Sequence, residues 1–180
     1  MYEQAKIDEA QHFLTQLSMV ANQREIFKYT LSGFLSAARS ALQYAHKEAT
    51  TKASGHVWYD GQVSARSVVK FLSGKRNVNI HERPISPATK INVSMRDNLS
   101  VSAESVSITI FRADGTIETG ESVSLSPSSS PNAPEVSVTY DYFFQDWPGN
   151  EDVIALCKMY LKAVESIVAD GVARGFLTPQ

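Results

Sequence analysis

Cysteine is almost absent. The single Cys157 excludes an internal disulfide and any cage of cysteine ligands around a metal. Long apolar runs are missing too, since no stretch approaches the ~20 residues that cross a bilayer. The first ten residues, Met1 to Ala10, are polar and acidic and hold no apolar signal-peptide core. There are no internal repeats, no phosphate-binding glycine loop, no GxGxxG, no HExxH and no GxSxG. Their lack removes the enzyme classes that those motifs mark. Together the absences point to a cytoplasmic protein with no membrane partner and no cofactor. What remains is 180 residues, enough for one ordinary domain that buries roughly 70% of its unfolded surface without staples.

Charge of one sign is also scarce, and the net value of −2 argues against a general nucleic-acid binder. Its distribution is uneven. Residues 62–83 carry five Lys/Arg and one Glu, whereas residues 84–150 carry three Lys/Arg and eight Asp/Glu. A local basic patch can bind a polyanion even on a mildly acidic chain. The other reading is that the basic and acidic segments pair with each other.

Periodicity gives the elements. Ile7, Ala10, Phe13, Leu14, Leu17 and Val20 recur at helical steps and predict a helix over 2–21. Ile26, Phe27, Thr30, Leu31, Phe34, Ala37, Ala38, Ala41 and Ala45 predict a second over 24–49. The small residues on that stripe would let a neighbouring helix approach closely. Asp60 is the expected N-cap of a third helix that ends at Gly74, with a short further helix over Lys75–Glu82 stopped by Pro84. From residue 88 the period becomes two: Ile91, Val93, Met95, then Val106, Ile108, Ile110. A hairpin turn is expected at Ala113–Thr116, return-strand residues at Ile117, Val123 and Leu125, a flexible loop over 126–134, and a strand through Val136, Val138, Tyr140 and Tyr142. A last helix, opened by Asn150 or Glu151, carries the apolar stripe Val153, Cys157, Tyr160, Leu161, Val164, Ile167 and Val168. The expected fold is α+β, a single domain over 1–180. An antiparallel helical bundle of about four long helices comes from 1–83 and 150–176. A small antiparallel sheet over 88–146 is inserted before the C-terminal helix.

The compact cluster of chemically capable side chains is Lys75-Arg76-Asn77-Val78-Asn79-Ile80-His81-Glu82-Arg83. Arg76 and His81 have four residues between them, and a polar residue, Asn77, follows the arginine. A helical bundle with such an Arg-x4–6-His motif resembles the HEPN (higher eukaryotes and prokaryotes nucleotide-binding) superfamily. The resemblance covers about residues 2–83 and 151–176, not 88–146. It implies an RNA-directed protein, in many members a metal-independent endoribonuclease acting as a homodimer. An antitoxin-like protein partner is the further expectation. The catalytic pair would be Arg76 and His81, with Asn77, Lys75, Arg83 and Arg39 as RNA contacts.

The physical logic of that pair is independent of the family. Cleaving RNA without a metal needs a base for the 2′-OH and an acid for the leaving oxygen, and imidazole, with its ordinary value of about 6.5, suits both. An arginine can grip the phosphate with two donors. One His81 per chain supplies one proton-transfer group, so a two-fold dimer would supply the second. On a continuous helix, however, five steps set Arg76 and His81 about 140° apart. The competing structural reading pairs Arg76 with an acid of the 84–150 region and has His81 cap a turn. Arg39 and His46, with six residues between, fit the same spacing. They are read as a helix-surface or interhelical pair, with Arg39 available as a second cation. The aromatic residues Trp58, Tyr59, Tyr140, Tyr142, Phe143, Phe144 and Trp147 are read as core or interface before base-stacking platforms. His12, His46 and His56 show no partners at metal-ligand spacing, so no metal site is expected. The alternative function is a non-catalytic dimeric protein-interaction module with a HEPN-like bundle.

Overall fold

Helices α1 (Tyr2–Met19), α2 (Arg24–Ala49), α3 (Gly55–Ser64) and α4 (Ser67–His81) precede four strands, and α5 (Val153–Ala173) follows them. The computed structural model describes residues 2–82, 84–96, 109–111, 117–119 and 135–179, with side chains over 2–82, 84–92 and 138–179. The chain is α+β, a helical bundle with a small antiparallel sheet component. It divides into two compact units, residues 1–92 with 138–180, and residues 93–137.

The bundle is built on α2. Phe27, Leu31, Phe34, Leu35, Ala38, Ala41, Leu42 and Ala45 are all fully buried. Each large apolar side chain on that face contributes about 1.5–3 kcal/mol by leaving water. The small residues act as the stripe predicts. A Cβ placed on Gly33 would come within 2.8 Å of the Phe13 ring, so α1 rests directly on the α2 backbone. Ile26 departs from the expected stripe and is 46% exposed. α5 supplies the opposite wall with Val153, Leu156, Cys157, Tyr160, Leu161, Val164, Ile167 and Val168. Its N-cap is Asp152, one or two residues later than the turn residues suggest, and its Oδ1 accepts from the Ala155 amide at 2.7 Å. Burial pushes the Cys157 thiol well above its ordinary value, which makes it an inert core group.

The third helical region differs from expectation. α3 begins at Gly55, with Asp60 in its middle, and ends at Ser64, with Ala65 as its C-cap. α4 then runs without interruption from Ser67 to His81, through Gly74. The expected Gly74 stop and separate Lys75–Glu82 helix are therefore corrected. The break falls at Arg66, whose extended backbone (φ −119, ψ 101) precedes α4. Nothing lies within 4 Å of a Cβ built on Gly74, and the residue is exposed. An exposed helical glycine costs about 0.5–1 kcal/mol relative to alanine. Gly74→Ala should therefore raise the unfolding free energy by that amount in a urea titration.

Strand β1 (Ala88–Arg96) pairs with β4 (Glu135–Phe143). β2 (Thr109–Phe111) pairs antiparallel with β3 (Ile117–Thr119), with Phe111 opposite Ile117 and Thr109 opposite Thr119. The expected hairpin turn at 113–116 sits between these two strands but lies outside the described residues, as do Val106, Ile108, Val123, Leu125 and the Ser/Pro-rich 126–134. β4 is fixed to the bundle through Tyr142. Its ring stacks on Phe27 at 3.7 Å between centroids, and its hydroxyl donates to the Ala21 carbonyl at 2.8 Å.

Candidate functional site

The basic segment of α4 is largely occupied with structure. Lys75 Nζ donates to both carboxylate oxygens of Asp146 at 2.7 Å and stands 5.1 and 5.0 Å from the Phe71 and Phe144 ring centres. The lysine holds the Asp146 carboxyl below its usual range. Here the basic and acidic segments do pair with each other. Asn79 Nδ2 donates to Ser32 Oγ at 2.7 Å, and Asn79 Oδ1 accepts from the Ile85 amide at 2.9 Å. That side chain ties α4 to α2 and to the exit of the helix. Asn77 is exposed, and Arg83 lies outside the described residues.

Arg76 and His81 share one continuous helix, so the two side chains leave it about 140° apart. Arg76 is half-buried and His81 exposed on the last turn. Within one chain the helix does not bring this pair together. Arg76 Nε is buried with no hydrogen-bond partner, and among the described residues Arg76 makes no ion pair.

The second Arg/His pair has the opposite outcome. Arg39, Gln43 and His46 recur at four and three residues on α2, and on α3 Tyr59 and Asp60 lie four and three residues before Val63. The two faces line one cavity of about 500 Å³. Arg39 Nη1 approaches the Tyr59 hydroxyl at 3.5 Å, a long contact, and Arg39 Nε is buried without a partner. The His46 ring lies 4.7 Å from the Tyr59 ring, tilted by 51°. His56, one turn before Tyr59, stands edge-on to His46 with centroids 5.9 Å apart. Its Nε2 is 3.2 Å from Asp60 Oδ2. Ligand-capable atoms of His46, His56 and Asp60 all fall within 4.8 Å of one another.

The turn between α2 and α3 sets this geometry. Ser54 adopts a left-handed conformation (φ 61), and a Cβ on the next residue, Gly55, would fall 1.9 Å from the Ala49 carbonyl oxygen. Only glycine lets α3 start this close to the end of α2. Gly55→Ala must displace backbone against backbone. The expected cost is about 1–3 kcal/mol in thermal or chemical unfolding, toward the upper end because no flexible side chain can yield.

No family model, curated protein or solved structure matches the chain. The candidate site therefore rests on its own chemistry. Burial pushes the Tyr59 phenol up, and the Arg39 guanidinium opposes the rise. Burial also takes Tyr160 to about 12, with its hydroxyl 3.2 Å from Ser73 Oγ. Both phenols stay neutral near pH 7, and Tyr59, the one that lines the cavity, is offered there as a hydrogen-bonding group rather than a base. The imidazoles carry the proton-transfer capacity, and Arg39 supplies the fixed positive charge.

The remaining aromatics serve the core, as their positions suggest. Trp58 donates through Nε1 to Asp170 Oδ2 at 2.7 Å and stacks on Phe176 at 5.0 Å. Trp147 donates to Glu151 Oε2 at 2.7 Å and packs on Phe71. The cluster of His46, His56 and Asp60 is not legible as a set in the sequence. His46 comes from α2 and the other two from α3, across a turn. The signal that was present is His56-x3-Asp60, which puts an imidazole and a carboxylate on one helical face.

Proposed function

We propose that the chain is a HEPN-like, RNA-directed endoribonuclease that needs no metal for cleavage, and that its reactive groups are Arg39 and His46 in the α2/α3 cavity and His56 beside it. The observation that carries this reading is the 5.9 Å separation of two imidazoles beside a cavity that also holds the Arg39 guanidinium. The Arg-x4–6-His spacing is kept, with Arg39 and His46 in place of Arg76 and His81. The need for a second proton-transfer group is met by His56 of the same chain.

In this mechanism the His46 imidazole takes the proton of the ribose 2′-OH. The 2′-oxygen attacks phosphorus, and the bond from phosphorus to the 5′-oxygen breaks. The protonated His56, oriented by Asp60, gives its proton to that leaving oxygen. The products are a 2′,3′-cyclic phosphate and a free 5′-OH. Arg39 neutralises the charge that builds on the non-bridging oxygens.

The test is direct. Purified protein in EDTA is incubated with an unstructured RNA oligonucleotide, and the ends are identified by mass. Cyclic phosphate and 5′-OH ends support the reading, and specific activity should not rise with protein concentration, since both imidazoles come from one chain. An absence of cleavage leaves the non-catalytic interaction module as the function.

A further inference from the structure

His46 and Asp60, which line the cavity, and His56 beside them have the composition of a metal site. We infer that His46, His56 and Asp60 bind one divalent transition-metal ion of the zinc class, and that the bound ion turns the cavity off. The binding stands by itself. The inhibitory consequence rests on the nuclease reading above.

The geometric case begins on α3. Residues four apart on a helix lie on one face, and His56 and Asp60 already meet at 3.2 Å. His46 reaches them from α2, so the ion would clip two helices together across the turn over 50–54. Tetrahedral zinc with bonds of about 2.0–2.2 Å needs ligand atoms roughly 3.3 Å apart. The present atoms lie within 4.8 Å of one another, so small side-chain rotations close the site. The His56 and Asp60 side chains are 64% and 58% exposed, which leaves them free to make those rotations. His46 is half-buried and provides the fixed point.

Donor chemistry selects the ion. Two imidazoles and one carboxylate suit zinc, copper, nickel or iron, whereas magnesium and calcium prefer oxygen alone. Three protein ligands leave one position to water, the count of an open rather than a closed site. Coordination uses the imidazole lone pair that would accept a proton. With both rings engaged, His46 cannot act as base nor His56 as acid. A metal-bound chain therefore keeps its fold and loses its chemistry.

The experiment titrates untagged full-length protein with zinc chloride in a calorimeter, after EDTA treatment and desalting. One ion should bind per chain. His46→Ala, His56→Ala and Asp60→Asn should each weaken binding more than tenfold, while His12→Ala, on the first helix, leaves it unchanged. Cobalt chloride should give a visible spectrum of tetrahedral type that the three variants lose. Zinc at about a hundred times its dissociation constant should raise the melting temperature by about 5–10 °C. Melting curves in EDTA show whether each variant is folded. No binding, or binding that none of the three substitutions weakens, overturns the metal site. Binding without loss of RNA cleavage overturns only the inhibition. Binding in a protein that never cleaves RNA leaves the metal site standing and removes the nuclease.

Discussion

Replacing His46 with alanine should lower the rate of RNA cleavage by at least a hundredfold in EDTA, while His81→Ala leaves it near the parent value. One general acid or base contributes about 10²–10⁴ to such a rate. His46 is the imidazole shared by the cavity, the Tyr59 ring and the His56 ring. His81 stands exposed at the end of α4, about 140° around the helix from Arg76. The two substitutions therefore separate the two Arg/His matches in one assay. His56→Ala should fall by a similar factor, because the acid and the base act on the same bond. Arg39→Lys should also lose activity, since an ammonium cannot present the guanidinium's planar fork to a phosphate. If His81→Ala abolishes cleavage and His46→Ala does not, the reactive pair is the one on α4, and a second copy must complete it. Circular dichroism melts of each variant distinguish lost chemistry from lost fold.

The second large effect is on stability. Phe27→Ala should destabilise the chain by about 3–5 kcal/mol, measured by urea unfolding. Phe27 is fully buried near the start of α2. It also carries the stacked Tyr142 ring, whose hydroxyl reaches back to Ala21. Its loss opens a cavity and removes the surface on which β4 is seated. Phe27→Leu keeps most of the volume and should cost considerably less. A loss for Phe27→Ala below about 1 kcal/mol would mean that Tyr142 does not depend on this ring.

Much of the helical architecture was legible because it depends on period alone. The α2 range of Arg24–Ala49 coincides with the stripe from Phe27 to Ala45, and all seven apolar positions predicted on α5 are buried. The apolar periodicity carries less information where a helix breaks without a glycine or proline. The interruption at Ala65–Arg66 has neither residue, whereas Gly74, the expected stop, continues the helix because its backbone stays helical and exposed. Ile26 was misplaced for a related reason. A single residue at the edge of a stripe joins the core only if a neighbour covers it.

The site was legible in its parts and not in its assembly. The spacing of Arg39 and His46 was visible, and so was the shared face of the pair. What could not be read was the fold-back of α3 onto α2, which depends on a left-handed Ser54 and on the room that Gly55 leaves beside the Ala49 carbonyl. Local basic charge favoured Arg76, but Lys75 is engaged by Asp146, a partner 71 residues away that no spacing rule connects to it.

The Asn92 amide donates to Asp141 Oδ2 at 2.7 Å, so the points where the chain leaves the larger unit and rejoins it are neighbours. An excursion whose two ends already meet can grow or shrink at an entropic cost that rises only with the logarithm of its length. The length of that excursion can therefore change at little entropic cost to the larger unit.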